Sequence, residues 1–166
     1  GYGSQKQFAV DQATHNWILS IDADEVVSPE LSTEIRSWKT DPESGKGPAG
    51  FTIPFSLFFM GKILKHGGVG SEYHIRLFDR TRGRFTLAPV HEGIEIKGDA
   101  GKMKGRIVHY SYRDISHHLE KINIYTTQAA SGYHARSKSF SRGWVMLKFP
   151  VSFVSFYLIK GGILDG

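Results

Sequence analysis

The sequence predicts a mixed α/β domain that ends in a helical part, and three observations support this fold class. A short apolar stretch at residues 17–21 has the length of a strand and stops at acidic residues. Stretches rich in aromatic and β-branched residues recur through the middle of the chain. From Asp114 onward the apolar spacing becomes helical. We therefore expect one domain over the whole chain, with an α/β part at residues 1–112 and a helical part at residues 113–166.

The first part of the chain contains three predicted elements. Residues 4–14 form a helix with apolar residues on one side, and residues 17–21 form a strand. Residues 29–38 form a second helix, because Leu, Ile and Trp recur there at helical spacing. Ser28 suits the N-cap of this helix, and Pro29 suits its first position.

The later elements follow from composition and periodicity. Further strands are predicted at residues 51–60, 74–79, around Phe85, 90–96 and 106–112. A loop rich in glycine, proline and charge covers residues 40–50, and a glycine-rich hairpin or loop covers residues 61–71. Asp114 can cap a long helix that reaches about Lys138, and a second apolar stretch covers residues 144–159.

Composition restricts the class of protein. The length of 166 residues suits one domain with a sizeable core. The absence of cysteine excludes a disulfide framework, a zinc–thiolate site and a cysteine nucleophile. The formal charge of +5 and the isoelectric point of about 9.4 favour anionic partners such as nucleotides, nucleic acids or acidic membrane surfaces. The first residues enter a helical pattern with no strand before it, so we expect this chain to be a piece of a longer protein.

Three acidic residues, Asp22, Asp24 and Glu25, follow the first predicted strand. Clustered carboxylates repel one another unless a positive charge lies between them. A hard divalent cation binds carboxylate oxygens and often bridges to substrate phosphates. The segment therefore suggests a metal-assisted enzyme that acts on a phosphorylated or nucleotide-activated substrate. The alternative is that Glu25, like Glu30, only stabilises the start of the next helix, but this does not explain the two aspartates.

The apolar stretch at residues 144–159 is shorter than the ~20 residues that a transmembrane helix needs, and Lys148 and Pro150 interrupt it. Cationic residues flank the stretch on both sides. An apolar segment bordered by cations suits docking on an anionic membrane surface. A pair of ordinary core helices would explain the same pattern.

Six short motifs occur in order over nearly the whole chain. They read GSQKQFA at 3–9, WILSIDADE at 17–25, RLF at 76–78, VHE at 90–92, HYSY at 109–112 and KGGILDG at 160–166. Together they resemble the family 2 glycosyltransferases, and most closely the bacterial branch that glycosylates the inner core of lipopolysaccharide. The resemblance implies a nucleotide-binding, A-type fold with a mixed sheet flanked by helices. It also implies that the upstream strand and helix that hold the nucleotide base are missing from this chain.

The resemblance assigns the acidic motif to the nucleotide-sugar donor. Asp24 would ligate a divalent cation, Mn²⁺ or Mg²⁺, which neutralises the diphosphate as it leaves. Asp22 would lie nearer the ribose or share the metal. Lys6 would be an electrostatic partner of the diphosphate or of these carboxylates; an exposed helix lysine is its other interpretation.

Inverting transfer requires a base that deprotonates the acceptor hydroxyl on the face opposite the leaving group. Glu92 is the candidate base, and His91 would orient the acceptor or the base. The alternative for this pair is a surface glutamate beside a structural histidine. His109 would complete the metal site begun by Asp24. Packing against the two neighbouring tyrosines is the alternative role of His109.

The resulting prediction is a metal-dependent inverting glycosyltransferase of the hexosyltransferase type. The resemblance suggests UDP-glucose as the donor and the lipopolysaccharide core or another lipid-linked sugar as the acceptor. It places the protein peripherally on the cytoplasmic face of a bacterial inner membrane. No nucleic-acid partner is expected, because the cationic residues form no compact run and no nucleic-acid motif occurs. The missing upstream segment puts the activity of the isolated chain in question.

Two other classes of function remain open at this point. A haloacid-dehalogenase-like phosphatase also has an apolar strand followed by Asp-x-Asp-x-Val, which residues 22–26 match. Such an enzyme needs a second acidic pair downstream for magnesium, and no convincing pair follows in the sequence. A non-enzymatic module that binds membranes or anions would explain the positive charge.

Overall fold

The computed structural model describes residues 2–41, 47–68, 72–86, 93–137, 139 and 141–165. These residues have a mixed α/β structure, as predicted. The chain divides into two compact units. The first, which we call the α/β unit, comprises Gly1–Ser56 and Ser71–His109; the second, which we call the helical unit, comprises Leu57–Gly70 and Tyr110–Gly166.

The described residues contain nine strands. They are β1 (Trp17–Leu19), β2 (Glu25–Val27), β3 (Gly50–Phe59), β4 (Lys62–Ile63), β5 (Tyr73–Asp79), β6 (Gly83–Phe85), β7 (Ile94–Ile96), β8 (Ala100–Lys102) and β9 (Ile107–His109). The main sheet runs β1-β5-β3-β9-β2, with β4 and β8 also paired to β3, while β6 and β7 form a separate pair. The sheet is mixed, because β8 is parallel to β3 whereas β1 and β5, like β2 and β9, are antiparallel.

The helices agree with the predicted ones in position. They are α1 (Tyr2–Gln12), α2 (Pro29–Thr40), α3 (Ile115–Ala135) and α4 (Arg142–Phe153), followed by a π-helical turn (Val154–Ile159) and a 3-10 turn (Gly162–Asp165). The predicted caps are confirmed: the Ser28 hydroxyl accepts a hydrogen bond from the Leu31 N–H, and the Asp114 carboxylate accepts one from the His117 N–H. Helix α3 ends at Ala135, slightly before the predicted end.

Two strands escaped prediction. Strand β2 has only three residues and directly precedes the cap of α2, so the acidic turn hides it. Strand β8 consists of Ala, Gly and Lys, which are poor strand formers. It forms because Gly101 lies flat against Phe51: a Cβ at Gly101 would approach that ring to 2.6 Å. Tertiary packing stabilises this strand, and the local sequence pattern gives no signal of that packing.

The first strand differs from its prediction in length and burial. It ends at Leu19 instead of residue 21, because the chain turns toward the acidic residues after the Ser20 N–H has bonded to the Arg76 carbonyl at 2.8 Å. All three β1 residues are half-buried. A short, continuously apolar strand is typical of a sheet covered on both faces, whereas β1 is only partly covered in the described chain.

The core of the α/β unit joins the sheet to α2. Its fully or nearly buried members are Leu31, Phe51, Ile53, Leu77, Met103 and Ile107. Trp17 and Trp38 both pack against this cluster. Their two rings contact each other edge to face, with centroids 4.5 Å apart. A second buried cluster of Val10, Phe78 and Phe85 holds α1. These contacts fix the end of β1, from which the acidic residues extend.

The helical unit has few buried side chains: neither α3 nor α4 carries a buried residue within the described chain. The interpretation of residues 144–159 as core helices is therefore wrong for the described chain. None of the helices that the structure describes has the length and apolar character needed to cross a membrane.

Candidate functional site

The acidic residues lie in a tight turn between β1 and β2. The Glu25 N–H donates to the Asp22 carbonyl at 3.0 Å. In the other direction, the Asp22 N–H donates to the Glu25 carboxylate at 2.9 Å. Because the two hydrogen bonds close the turn from both ends, the Glu25 side chain acts as an internal brace for the backbone that carries Asp22 and Asp24.

Glu25 is bound by an arginine from the neighbouring strand. The antiparallel register pairs Leu19 with Leu77, so Arg76 lies where the acidic turn leaves the sheet. Its guanidinium donates to the Glu25 carboxylate at 2.7 Å, and the Glu25 side chain is only 2% exposed. The same guanidinium lies 4.8 Å from the centroid of the Phe55 ring. A helix-capping role for Glu25 is therefore wrong.

Asp22 is held between two cations. The Lys6 ammonium lies 2.8 Å from one carboxylate oxygen of Asp22, and the Arg76 guanidinium lies 3.5 Å from the other. Partial burial alone would raise the pKa of Asp22. The hydrogen bond from Lys6 and the charges of both cations outweigh burial, so the pKa of Asp22 lies below its ordinary value. Asp22 therefore stays ionised, and Lys6 is a partner of a carboxylate instead of an isolated helix lysine.

Asp24 faces His109. The register of β2 and β9 pairs Glu25 with His109, which brings the His109 imidazole close to Asp24, the residue before Glu25. The distance from His109 Nε2 to the Asp24 carboxylate is 3.1 Å. The Asp24 side chain is 47% exposed and that of His109 is 35% exposed, so both are open to a ligand.

Asp24 and His109 contact each other directly at a hydrogen-bond distance of 3.1 Å. Their carboxylate and imidazole are donor groups that could instead hold a divalent cation. A third ligand does not join them, since no group of three or more His, Asp or Glu side chains in the described ranges is arranged for a metal. A cation held by this pair would take its remaining ligands from water and substrate phosphates.

The remaining predicted site residues are His91 and Glu92. Both lie outside the described residues, so their roles as acceptor ligand and base stay predictions. Of the other four, Lys6 and Asp22 contact each other, and Asp24 contacts His109.

The structure adds Arg76, which the sequence reasoning placed only in a motif. The alternating pattern of β5 was visible, but only the register with β1 shows that Arg76 meets the acidic turn.

Comparison with known proteins identifies the family of enzymes that this chain resembles. No protein-family model matches the chain. The lipopolysaccharide core biosynthesis glycosyltransferase LpsC of Rhizobium meliloti is 28% identical over 173 residues, which cover 97% of this chain and 59% of LpsC. The chain is therefore similar in sequence to bacterial glycosyltransferases over most of its length. The chain spans only slightly more than half the length of the curated relatives that it matches.

Two further relatives agree with this similarity. An uncharacterised glycosyltransferase of Rickettsia typhi is 27% identical over 150 residues, covering 85% of the chain and 51% of the relative. An uncharacterised glycosyltransferase of Rickettsia prowazekii is 25% identical over 169 residues, covering 96% and 58% respectively. The resemblance found in the sequence motifs is therefore confirmed at the level of glycosyltransferases.

Proposed function

We propose that the longer protein containing this chain is a metal-dependent inverting glycosyltransferase with an A-type fold. The observation that carries the proposal is the exposed Asp24–His109 pair on a braced acidic turn, in a chain homologous to glycosyltransferases. The proposed donor is a nucleotide-diphosphate sugar, with UDP-glucose suggested by the family resemblance. The homology favours this function over a phosphatase or a non-enzymatic binding module.

The charges around the turn support a donor site. Arg76 pairs with Glu25, and Lys6 pairs with Asp22, which leaves Asp24 as the carboxylate whose described partner is an imidazole. Asp24 and His109 would hold Mn²⁺ or Mg²⁺, which supplies Lewis-acid stabilisation of the departing diphosphate. Asp22 would accept a hydrogen bond from the donor ribose. Lys6 and Arg76 keep Asp22 ionised and oriented for that contact.

On the acceptor side, we propose Glu92 as the base and His91 as the residue that orients the acceptor hydroxyl. Deprotonation of that hydroxyl in line with the leaving diphosphate would invert the anomeric carbon. The proposed acceptor is lipid-linked, by analogy with the lipopolysaccharide core named for LpsC. An acceptor of this kind implies a peripheral protein at the cytoplasmic face of a bacterial inner membrane.

A turnover assay on the full-length protein tests this function. Release of UDP from UDP-glucose would be measured with lipopolysaccharide-core acceptor, and the anomeric configuration of the product would be read by NMR. We expect manganese-dependent release, an inverted product, and a rate at least about 100-fold lower for Glu92→Gln. Glu95→Gln, a change at an exposed residue of β7, provides the matched control and should retain the activity. Retention of configuration, or full activity of Glu92→Gln, would contradict the proposed mechanism.

A further inference from the structure

The positive charge of this protein is concentrated in the helical unit. The sequence of that unit contains nine Lys and Arg residues and three Asp and Glu residues, a formal charge of +6. The α/β unit contains the remaining twelve cationic and thirteen acidic residues, a formal charge of −1. The charge asymmetry favours the helical unit as the part of the protein that meets an anionic surface.

The same unit exposes large apolar side chains. Along α4 and the two turns that follow it, the most exposed are Met146, Phe149, Ile159 and Leu164, each at least 71% exposed. Residues 142–164 contain three cations, Arg142, Lys148 and Lys160, and no acid. A cluster of large exposed apolar side chains marks an interaction site, and neighbouring cations suit a surface that enters the membrane interface.

A groove of about 380 Å³ opens on this surface. Its side chains are almost entirely apolar: Phe149, Phe153, Phe156 and Tyr157, with Ser152 and Gly162 between them. Phe153 and Tyr157 stack with ring centroids 5.1 Å apart. The Lys160 ammonium lies 4.2 Å from the centroid of the Phe156 ring, so a cation borders an aromatic wall of the groove. The groove therefore places an apolar lining beside a cation.

We propose that the helical unit docks on an anionic lipid bilayer and that the groove takes one hydrocarbon chain of an acidic membrane lipid, with its phosphate at Lys160. This inference rests on the proposed lipid-linked acceptor, because it states how the protein reaches a membrane-bound substrate. Charge decides against a second copy of the chain as the occupant. Two helical units meeting face to face would oppose +6 to +6, whereas an acidic bilayer neutralises that charge.

Vesicle flotation of the full-length protein tests the docking. We expect the protein to float with vesicles that contain phosphatidylglycerol, to float less with phosphatidylcholine alone, and to detach as salt is added. Phe149→Glu should weaken flotation at least about tenfold, because it removes an aromatic side chain that would contact the bilayer and adds a negative charge. Phe8→Glu is the matched control: Phe8 is a 65% exposed aromatic residue in the α/β unit, and its variant should float as the wild type does.

Two further variants test the head-group site and the groove. Lys160→Ala should weaken flotation about fivefold, and Lys97→Ala, at an exposed lysine of the α/β unit, should not weaken it. Ser152→Phe keeps the outer apolar surface but fills the groove. If one lipid chain occupies the groove, Ser152→Phe weakens flotation; if the variant floats equally well or better, the groove assignment is wrong.

The result can be separated from the proposed catalytic function. Asp24→Ala should float normally while losing donor binding, and Phe149→Glu should bind donor normally while losing flotation. A full-length protein that stays unbound to every vesicle would overturn the docking proposal, as would equal flotation of Phe149→Glu and Phe8→Glu. If the only effect of Phe149→Glu is to convert a dimer into monomers, this surface is a contact between two copies of the protein. That result would also overturn the docking proposal.

Discussion

At the scale of single residues, the site depends on how two cations pair with three carboxylates. The cations are Lys6 and Arg76, and the carboxylates are Asp22, Asp24 and Glu25. Glu25 and Arg76 form a nearly buried pair, while Lys6 and Asp22 form a more exposed one. The grouping of Asp22, Asp24 and His109 at one site was predicted from the sequence motifs. The role of Arg76 could not be predicted, because it depends on the antiparallel register that places residue 76 beside the acidic turn.

Loss of Arg76 should destabilise the protein strongly. Arg76→Gln leaves the Glu25 carboxylate in a buried position without its counter-charge, so we expect the free energy of unfolding to fall by about 3 kcal/mol. Urea denaturation measures this change. Arg84→Gln, at an exposed arginine of β6, should shift stability by no more than about 0.5 kcal/mol. Equal urea midpoints for the two variants would show that Arg76 does not brace the turn.

The lowered pKa of Asp22 predicts a pH dependence with a definite sign. Folding favours ionised Asp22, so this residue stabilises the protein above its unfolded pKa of about 3.9, and the contribution disappears as the pH falls through the lower folded pKa. Lys6→Gln removes the hydrogen bond and one charge, and should raise the pKa of Asp22. NMR titration of the Asp22 carboxyl carbon checks this. An unchanged Asp22 pKa in Lys6→Gln would contradict the observed pairing.

At the scale of elements, local patterns predicted the helices and most of the strands, but not strands β2 and β8. The N-caps Ser28 and Asp114 could be predicted because their own side-chain oxygens cap the helix, and the structure confirms both. Strand β8 has no such signal, because its place depends on Gly101 passing beneath the Phe51 ring. Strand β2 matters most for the site, since its pairing with β9 places His109 beside Asp24.

The start of α2 packs so closely against the segment before β9 that only glycine fits at position 105. A Cβ there would lie 2.3 Å from the Leu31 backbone, which cannot yield as a flexible side chain would. Gly105→Ala should therefore lower the free energy of unfolding by about 3 kcal/mol or more. Gly93→Ala is the matched control, because nothing lies within 4 Å of its Cβ position. Similar urea midpoints for both variants would exclude a tight contact at this point.

At the scale of the whole molecule, the two units carry different charges and different surfaces. The α/β unit holds the braced acidic turn, and the helical unit holds the excess positive charge and the exposed apolar groove. Composition indicated an anionic partner, and residues 113–166 alone contain seven cationic and three acidic residues, but the linear sequence could not add residues 57–70 to that part. That assignment needed the contacts by which residues 57–70 join the C-terminal helices. In the proposed transferase, donor chemistry would belong to the α/β unit and membrane contact to the helical unit.

Donor binding measured by calorimetry tests the central claim most directly. The full-length protein would be titrated with UDP-glucose, with and without manganese, as wild type, as Asp24→Asn and as Asp99→Asn, the last being a change at an exposed aspartate elsewhere in the α/β unit. We predict manganese-dependent binding in the wild type and in Asp99→Asn, and binding at least about tenfold weaker in Asp24→Asn. Donor binding that is independent of manganese, or equally strong in Asp24→Asn, would contradict the proposed metal-dependent donor site.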